Sequence, residues 1–434
     1  MPAISLTISH SKHRDTYVAV FAALITFLTY AAVYAFRKPF TVAEFAGLRF
    51  LGIDYKIWLV MAQTAGYTLS KFFGIKFIAE LRNKNRTLIL LKFIGIAWMA
   101  LLFFAIVPPP YNIIFLLING FPLGIIYGLV FSYLEGRKTT EFLGAALSSS
   151  FIFASGFTQS AGKFILLKWG IDQWWMPWVA GLVFFIPLLF FAWLLEQTPK
   201  PTETDVLVRT ERKPMNKKER IDFIKTFFPG LFMLVVVYIM LTIIRDYRSN
   251  FAANIWKETG HGNDISLFTK TEIPSSLFVL VLMSLLVYIK SNIRALMVNH
   301  FLIVIGFALS LCGTLLFVYS QLSAFWWMTI TGIGLYMGYV PFNCMLFERM
   351  IASFRYVSNA CFIIYVADSF GYLGSDVVLL LKNFSNSSIS YSDFFVKMIL
   401  AISALGTGLT ILSSIYFKSK YQRYFTPSSN LSYA

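Results

Sequence analysis

Residues 17–40 read YVAVFAALITFLTYAAVYAFRKPF, an apolar run that ends in an arginine and a lysine. A helix needs about 20 predominantly apolar residues to cross the hydrocarbon core of a bilayer. The run satisfies that length and is too long for the apolar region of a cleaved signal peptide. It therefore predicts a retained first membrane helix with two cations, Arg37 and Lys38, near its far end.

The rest of the chain repeats this apolar pattern. Only 13% of the 434 residues are charged, 57% are hydrophobic, and the mean hydropathy is +0.68. A soluble domain carries about 25% charged residues. We predict an all-α polytopic membrane protein with twelve transmembrane helices, at residues 17–40, 57–79, 87–107, 111–134, 143–167, 174–195, 224–247, 267–289, 294–318, 323–346, 357–381 and 394–417.

The longest polar interruption falls between predicted spans 6 and 7. Residues 197–222 contain three prolines and many charges, a composition typical of a solvated linker. We therefore predict two six-helix bundles, 1–196 and 223–434, joined by this linker.

Lysine and arginine occur in short clusters between the apolar runs, although the net charge is +16. Scattered clusters argue against nucleic-acid binding and follow the positive-inside rule. They precede span 1 and follow spans 2, 4, 6, 8, 10 and 12, whereas Arg49 and Lys56 are exceptions in an opposite loop. The pattern predicts that both termini and the linker are cytoplasmic, in a multi-pass inner-membrane protein.

A short repeat relates the two predicted bundles. Tyr30 lies seven residues before Arg37 in span 1, and Tyr238 lies seven residues before Arg245 in span 7. Matching positions in the first helix of each half are typical of parallel repeats around a shared central site.

Ionisable residues inside the spans are the main indication of a site, because each costs about 2.5–3.5 kcal/mol near a helix centre. Arg37 and Arg245 approach the membrane from the same side, and Lys71 lies near mid-depth in span 2. Three cations around one cavity predict an anion site, since arginine and lysine suit phosphate and carboxylate groups. The alternative is that Arg37, Lys38 and Arg245 extend to the outer headgroups.

Two carboxylates and one amide complete the candidate residues within the spans. Asp368 in span 11 and Glu272 in span 8 are candidates for carrying a coupling proton. The alternatives are that Asp368 pairs with a basic residue and that Glu272 belongs to a solvated entrance. Gln159 in span 5 either lines the pathway or packs between helices.

No common enzyme motif is present in the sequence. GxxxxGK[ST], HExxH and Gly-x-Ser-x-Gly are all missing, and the cysteines Cys312, Cys344 and Cys361 fall inside apolar segments. We therefore expect neither enzymatic activity, nor a metal, nor an organic cofactor, and we interpret the cysteines as packing residues.

Two six-helix halves joined by a basic loop resemble the major facilitator superfamily. The segment YAFRKPF at 34–40 resembles the helix 1 motif of the organophosphate:phosphate antiporters, and GYTLSKF at 66–72 is similar to their helix 2 motif. Arg245 lies where their helix 7 arginine would fall. The resemblance implies that Arg37 and Arg245 bind the substrate phosphate and that Lys71 lines the same cavity.

The resemblance does not extend to the whole chain. The loop GIKFIAELR at 74–82 replaces the usual acidic loop after helix 2, and span 5 lacks the histidine of the glycerol-phosphate carrier. These departures indicate a divergent branch of the family.

These observations predict a secondary transporter that moves a small organic anion by alternating access, with phosphate and phosphate esters among the candidates. The expected substrate-binding residues are Arg37, Lys71, Arg245, Tyr34, Tyr67 and Gln159. The alternatives are proton-coupled symport of a neutral or cationic solute, with Glu272 and Asp368 central, and a sensor or assembly protein that does not transport. We expect a monomer whose partners are the solute and the lipid bilayer.

Overall fold

The computed structural model describes residues 12–80, 86–134, 140–199, 217–356, 360–385 and 389–425. Fourteen α-helices lie in these residues, together with a hairpin of strands β1 (Arg49–Phe50) and β2 (Ile53–Asp54). The helices are α1 (Lys12–Val33), α2 (Tyr55–Glu80), α3 (Arg86–Ile106), α4 (Ile113–Phe131), α5 (Thr140–Lys168), α6 (Met176–Glu196), α7 (Lys217–Asn250), α8 (Ala252–Glu258), α9 (Leu267–Leu286), α10 (Asn292–Val318), α11 (Ala324–Cys344), α12 (Leu346–Ser353), α13 (Ala360–Ser385) and α14 (Tyr391–Phe425).

Nine helices in the described part of the chain are long and apolar enough to cross a membrane. A tenth span results if α11 and α12, which meet at an angle of 51°, are counted together. α2 and α5 have the necessary length but carry buried polar side chains, among them Gln63 and Lys71 on α2 and Ser148 and Gln159 on α5. These side chains lower the mean hydropathy of both helices because they are polar. They face the protein interior instead of the lipid.

The fold confirms an all-α polytopic membrane protein. The count of twelve spans and the two bundles at 1–196 and 223–434 stay predictions, as does the cytoplasmic location of the termini. Most of the linker predicted at 197–222 lies outside the described residues.

The first α-helix ends earlier than the apolar run predicted, and Pro39 keeps it from resuming. The α-helix stops at Val33, and the chain continues as 3₁₀ segments at Tyr34–Phe36 and Pro39–Val42. Proline has no N–H for a helical hydrogen bond and restricts the residue before it. The predicted span 17–40 is therefore wrong at its far end, and Arg37 lies on a tight turn rather than on a helix.

Two groups of helices can be followed through the packing, and we call α1–α6 the amino-terminal half and α7–α14 the carboxyl-terminal half. Within the halves, α2 packs extensively on α4, and α10 packs extensively on α11. Between the halves, α5 makes its closest packing with α9, and α2 packs on α13. Most of the candidate site residues lie along these two contacts.

Gly156 permits the close approach of α5 to α9. A Cβ at this position would lie 2.1 Å from the carbonyl oxygen of Phe268 and 2.7 Å from Cγ of Glu272. Gly156→Ala is therefore expected to destabilise the protein by about 1–3 kcal/mol, the usual effect of overpacking. Thermal unfolding of the purified protein measures the change.

Gly95 on α3 provides the matched control, because a Cβ there meets no atom within 4 Å. Gly95→Ala is expected to leave stability unchanged or to raise it by up to about 1 kcal/mol, since alanine favours helix. Equal unfolding temperatures for the two variants would contradict a tight α5–α9 contact.

Candidate functional site

Two arginines from opposite halves stack on one pair of tyrosine rings. The guanidinium carbon of Arg37 lies 4.2 Å from the ring centre of Tyr67 on α2, and that of Arg245 on α7 lies 5.2 Å from the ring centre of Tyr372 on α13. The two rings are 5.0 Å apart. We call Tyr67 and Tyr372 the tyrosine bridge. A cation over an aromatic face is attracted by the ring quadrupole, so the bridge holds both guanidinium groups in one region.

A buried ion pair joins the halves beside this bridge. Lys71 Nζ on α2 lies 3.1 Å from Asp368 Oδ2 on α13, and the Tyr238 hydroxyl donates to Asp368 Oδ1. The Tyr238 and Tyr339 hydroxyl oxygens are 2.9 Å apart, and Arg245 donates to the Tyr339 hydroxyl. A continuous polar network therefore runs from Lys71 to Arg245, and both oxygens of Asp368 have partners.

The charges of this region do not cancel. Arg245 pairs with the neighbouring Asp246 at 2.8 Å, and Lys71 pairs with Asp368. Within the described residues, no carboxylate lies within ion-pair distance of Arg37, and its Nε has no hydrogen-bond partner. The five side chains named here, three cations and two carboxylates, carry a formal charge of +1, and the buried Lys38 next to Arg37 adds another cation. An uncompensated charge in the interior is costly, so the region attracts an anion.

Three lysines form hydrogen bonds from one half of the protein to the other. Lys38 is buried and directed into the protein, which excludes the interpretation that its side chain extends to the headgroups. These bonds are Lys38 Nζ to Asn250 Oδ1 at 2.7 Å, Lys56 Nζ to Asn254 Oδ1 at 2.6 Å and the exposed Lys257 Nζ to Glu44 Oε2 at 2.6 Å.

A second polar cluster lies between α5, α7 and α9. Arg248 donates to Glu272 Oε1 and, at 3.0 Å, to the carbonyl oxygen of Met328. Gln159 donates to the carbonyl oxygen of Ser249 at 2.6 Å. All five residues line one small cavity.

The predicted site residues divide between these two clusters. Arg37, Lys71, Arg245 and Tyr67 lie together, and the ring centre of Tyr34 lies 5.8 Å from the guanidinium carbon of Arg37.

The second cluster holds two residues for which the sequence left alternatives open. Gln159 lies in the cluster of Glu272 and not beside Arg37 and Arg245, because its side-chain amide donates to the backbone of α7. Glu272 is only 6% exposed, so its placement in a solvated entrance is wrong. Asp368 adopts the alternative of pairing with a basic residue.

Several side chains of the two clusters were not among the site residues predicted from the sequence, notably Tyr339, Tyr372 and Arg248. The repeat that relates Tyr30 to Tyr238 could have indicated Tyr339. Tyr238 stacks on Tyr339 of α11 with ring centres 5.1 Å apart, as Tyr30 contacts Tyr127 of α4 at 5.6 Å. The repeated tyrosine therefore contacts the tyrosine of the fourth long helix in each half.

Tyr372 follows Asp368 by four residues. Residues four apart lie on one face of a helix. The choice of Asp368 as a candidate could therefore have indicated Tyr372 as well.

Two solved transporters share this fold. A D-xylose-proton symporter is 15% identical with a TM-score of 0.57, covering 94% of this chain and 97% of that chain. The nucleoside transporter NupG is 13% identical with a TM-score of 0.56, covering 93% of this chain and 99% of that chain. At this identity the likeness concerns the fold alone.

The family is shown by the sequence itself. Residues 39–420 match the family of unknown function DUF5690, and the chain belongs to that family. No curated protein matches the chain.

Proposed function

We propose that the protein is a secondary transporter that carries a small organic anion across the membrane by alternating access. One observation carries the proposal: guanidinium groups from opposite halves, Arg37 and Arg245, meet on the tyrosine bridge with a formal surplus of positive charge. A site shared by both halves is altered whenever one half moves against the other, as alternating access requires.

The side chains around the bridge favour a tetrahedral or planar oxyanion. Arginine presents a planar fork of donors that suits phosphate and carboxylate, and tyrosine hydroxyls add neutral donors. Phosphate and phosphate esters are therefore the proposed substrates, in line with the resemblance of Arg37, Lys71 and Arg245 to residues of the organophosphate:phosphate antiporters. The proposed setting is a monomer in the inner membrane with cytoplasmic termini.

A ligand screen on the purified protein tests the proposal. Inorganic phosphate, glycerol phosphate and hexose phosphate are expected to raise the unfolding temperature, because a ligand at 100 times its Kd stabilises the folded state by about 2.7 kcal/mol. Uptake or counterflow of the stabilising solute in proteoliposomes then measures transport. Stabilisation without any uptake would instead favour a sensor or assembly protein that does not transport.

A second candidate is proton-coupled transport of a neutral or cationic solute. The observation in its favour is the pair of buried carboxylates, Asp368 and Glu272, each bonded to a cation. One structural neighbour is a D-xylose-proton symporter. Stabilisation by D-xylose or a nucleoside, with no effect of phosphate or its esters, would favour this candidate over the anion transporter.

A further inference from the structure

Three carboxylates are buried among the described residues, Asp246, Glu272 and Asp368, and they differ in how their oxygens are bonded. Asp246 Oδ1 pairs with Arg245 and its Oδ2 has no partner among the described residues, but Asp246 does not line the cavity beside Glu272.

Both oxygens of Asp368 have partners, Lys71 and Tyr238. Glu272 Oε1 accepts from Arg248, whereas Glu272 Oε2 has no hydrogen-bond partner among the described residues. A buried carboxylate oxygen without a donor is costly, and a proton on that oxygen removes the charge that creates the cost.

The cavity beside Glu272 gives water a place next to this carboxylate. The cavity has room for about one water molecule and is far too small for an organic ligand. Polar groups line it, including Gln159, Thr271 and Arg248, and Arg248 Nε also lacks a partner within the described residues. A polar cavity of this kind suits water, which donates and accepts and can deliver a proton.

The groups that face Glu272 come from several elements. Arg248 on α7 is its ion-pair partner, Lys38 contributes a second positive charge from the amino-terminal half, and Tyr336 approaches from α11. α5 contributes the uncharged Gly156 to this contact. Separation of the halves would move Lys38 away from Glu272 and leave Arg248 as its neighbouring cation. Because a nearby cation stabilises the ionised carboxylate, this loss favours proton uptake by Glu272.

We propose that Glu272 takes up one proton from the aqueous phase, relayed by water in this cavity, when the anion binds, and releases it to the aqueous phase on the other side when the anion leaves. The inference rests on the proposed anion site. Protonation neutralises Glu272 and leaves the charge of Arg248 available, three residues from Arg245 on the same face of α7. The site gains one positive charge, so a singly charged anion and a proton move together without net charge.

Infrared difference spectroscopy after a pH change tests the proton site without any solute. Solvated carboxyl groups contribute a background common to all variants. Above this background, the carbonyl band of a buried protonated carboxylic acid is expected in the wild-type protein and in Asp368→Asn, and is expected to disappear in Glu272→Gln. Retention of the band in Glu272→Gln, or its loss only in Asp368→Asn, would overturn the assignment. If Glu272→Gln fails to fold, the double variant Arg248→Gln/Glu272→Gln removes both buried charges at once.

Sulfate binding measured against pH tests the coupling, because the charge of sulfate is constant near neutral pH. Where Glu272 is ionised, the apparent Kd for sulfate is expected to fall tenfold for each unit of decrease in pH, since one proton is linked to binding. In Glu272→Gln the Kd is expected to be independent of pH. A pH-independent Kd in the wild type would overturn the coupling.

The two measurements also separate this inference from the proposed function. If the wild type binds neither sulfate nor phosphate, the anion site and the coupling fail together. The infrared band still decides whether Glu272 is the residue that binds the proton.

Discussion

Replacing Arg37 with glutamine is expected to weaken the binding of inorganic phosphate by a factor of about 10 to 150, because a hydrogen bond to a charged group contributes about 1.5–3 kcal/mol. The folded state is expected to survive. No carboxylate in the described residues pairs with Arg37, so the substitution leaves no buried charge without its partner. Equilibrium binding of phosphate to the purified variant measures the effect.

Arg86 provides a matched control for this substitution. Its guanidinium carbon lies 5.4 Å from the ring centre of Tyr133 and Nη1 donates to the carbonyl oxygen of Ser132, so it is also a partly buried arginine on a tyrosine. It begins α3, away from the tyrosine bridge. Arg86→Gln is expected to leave phosphate affinity unchanged, and an equal loss in both variants would show that the effect arises from general damage to the fold.

Arg245→Gln is expected to weaken phosphate binding as well, but its result is less direct. Arg245 pairs with Asp246, and removing one partner of a buried pair leaves the other charge uncompensated. Arg37 is therefore the sharper test of the two arginines.

The apolar runs predicted the class of the fold because the bilayer imposes one requirement on every spanning segment: enough apolar length with all backbone groups bonded within the helix. The predicted end of the first span was wrong because a local feature of the sequence interrupts the helix within the apolar run. The first α-helix ends at Val33, and Pro39, which has no N–H for a helical hydrogen bond, keeps it from resuming over the rest of the predicted run.

The convergence of Arg37, Lys71 and Arg245 was predictable because depth in the membrane follows from position along each span. Their partners were not predictable in the same way. The pairing of Lys71 with Asp368 depends on α2 packing against α13, about 300 residues later, and no local pattern encodes that contact.

The clustering of Gln159 with Glu272 could not be predicted from the sequence either. Both were recognised as polar residues within spans, but their cluster depends on which face of α5 meets α9. Gly156 sets that contact by admitting Phe268 and Glu272 at close range. A glycine in an apolar helix has many possible roles, so the sequence alone did not connect it with Glu272.

Removing one member of the Lys71–Asp368 pair is expected to destabilise the protein by about 3–5 kcal/mol, because the remaining charge is buried without its partner. Lys71→Met leaves Asp368 with the Tyr238 hydroxyl, and Asp368→Asn leaves Lys71 among tyrosine rings. The double variant Lys71→Met/Asp368→Asn removes both charges and is expected to be more stable than either single variant. Thermal unfolding in detergent measures all three.

The pair between Lys257 and Glu44 is the control, since it also joins the two halves but Lys257 is largely exposed. Lys257→Gln is expected to change stability by about 0–1 kcal/mol, the usual range for a surface pair. Additive losses in the Lys71→Met/Asp368→Asn double variant would contradict the buried ion pair.

The double variant also separates two roles of Lys71. If Lys71 only balances Asp368, the variant retains the affinity of the wild type for inorganic phosphate, because the formal charge of the site is unchanged. If Lys71 contacts the anion, phosphate affinity is expected to fall by about 10-fold or more even though the fold is restored, since a charged donor has been lost. We expect the second result, because Lys71 lies 5.1 Å from the ring centre of Tyr67, the ring on which Arg37 stacks.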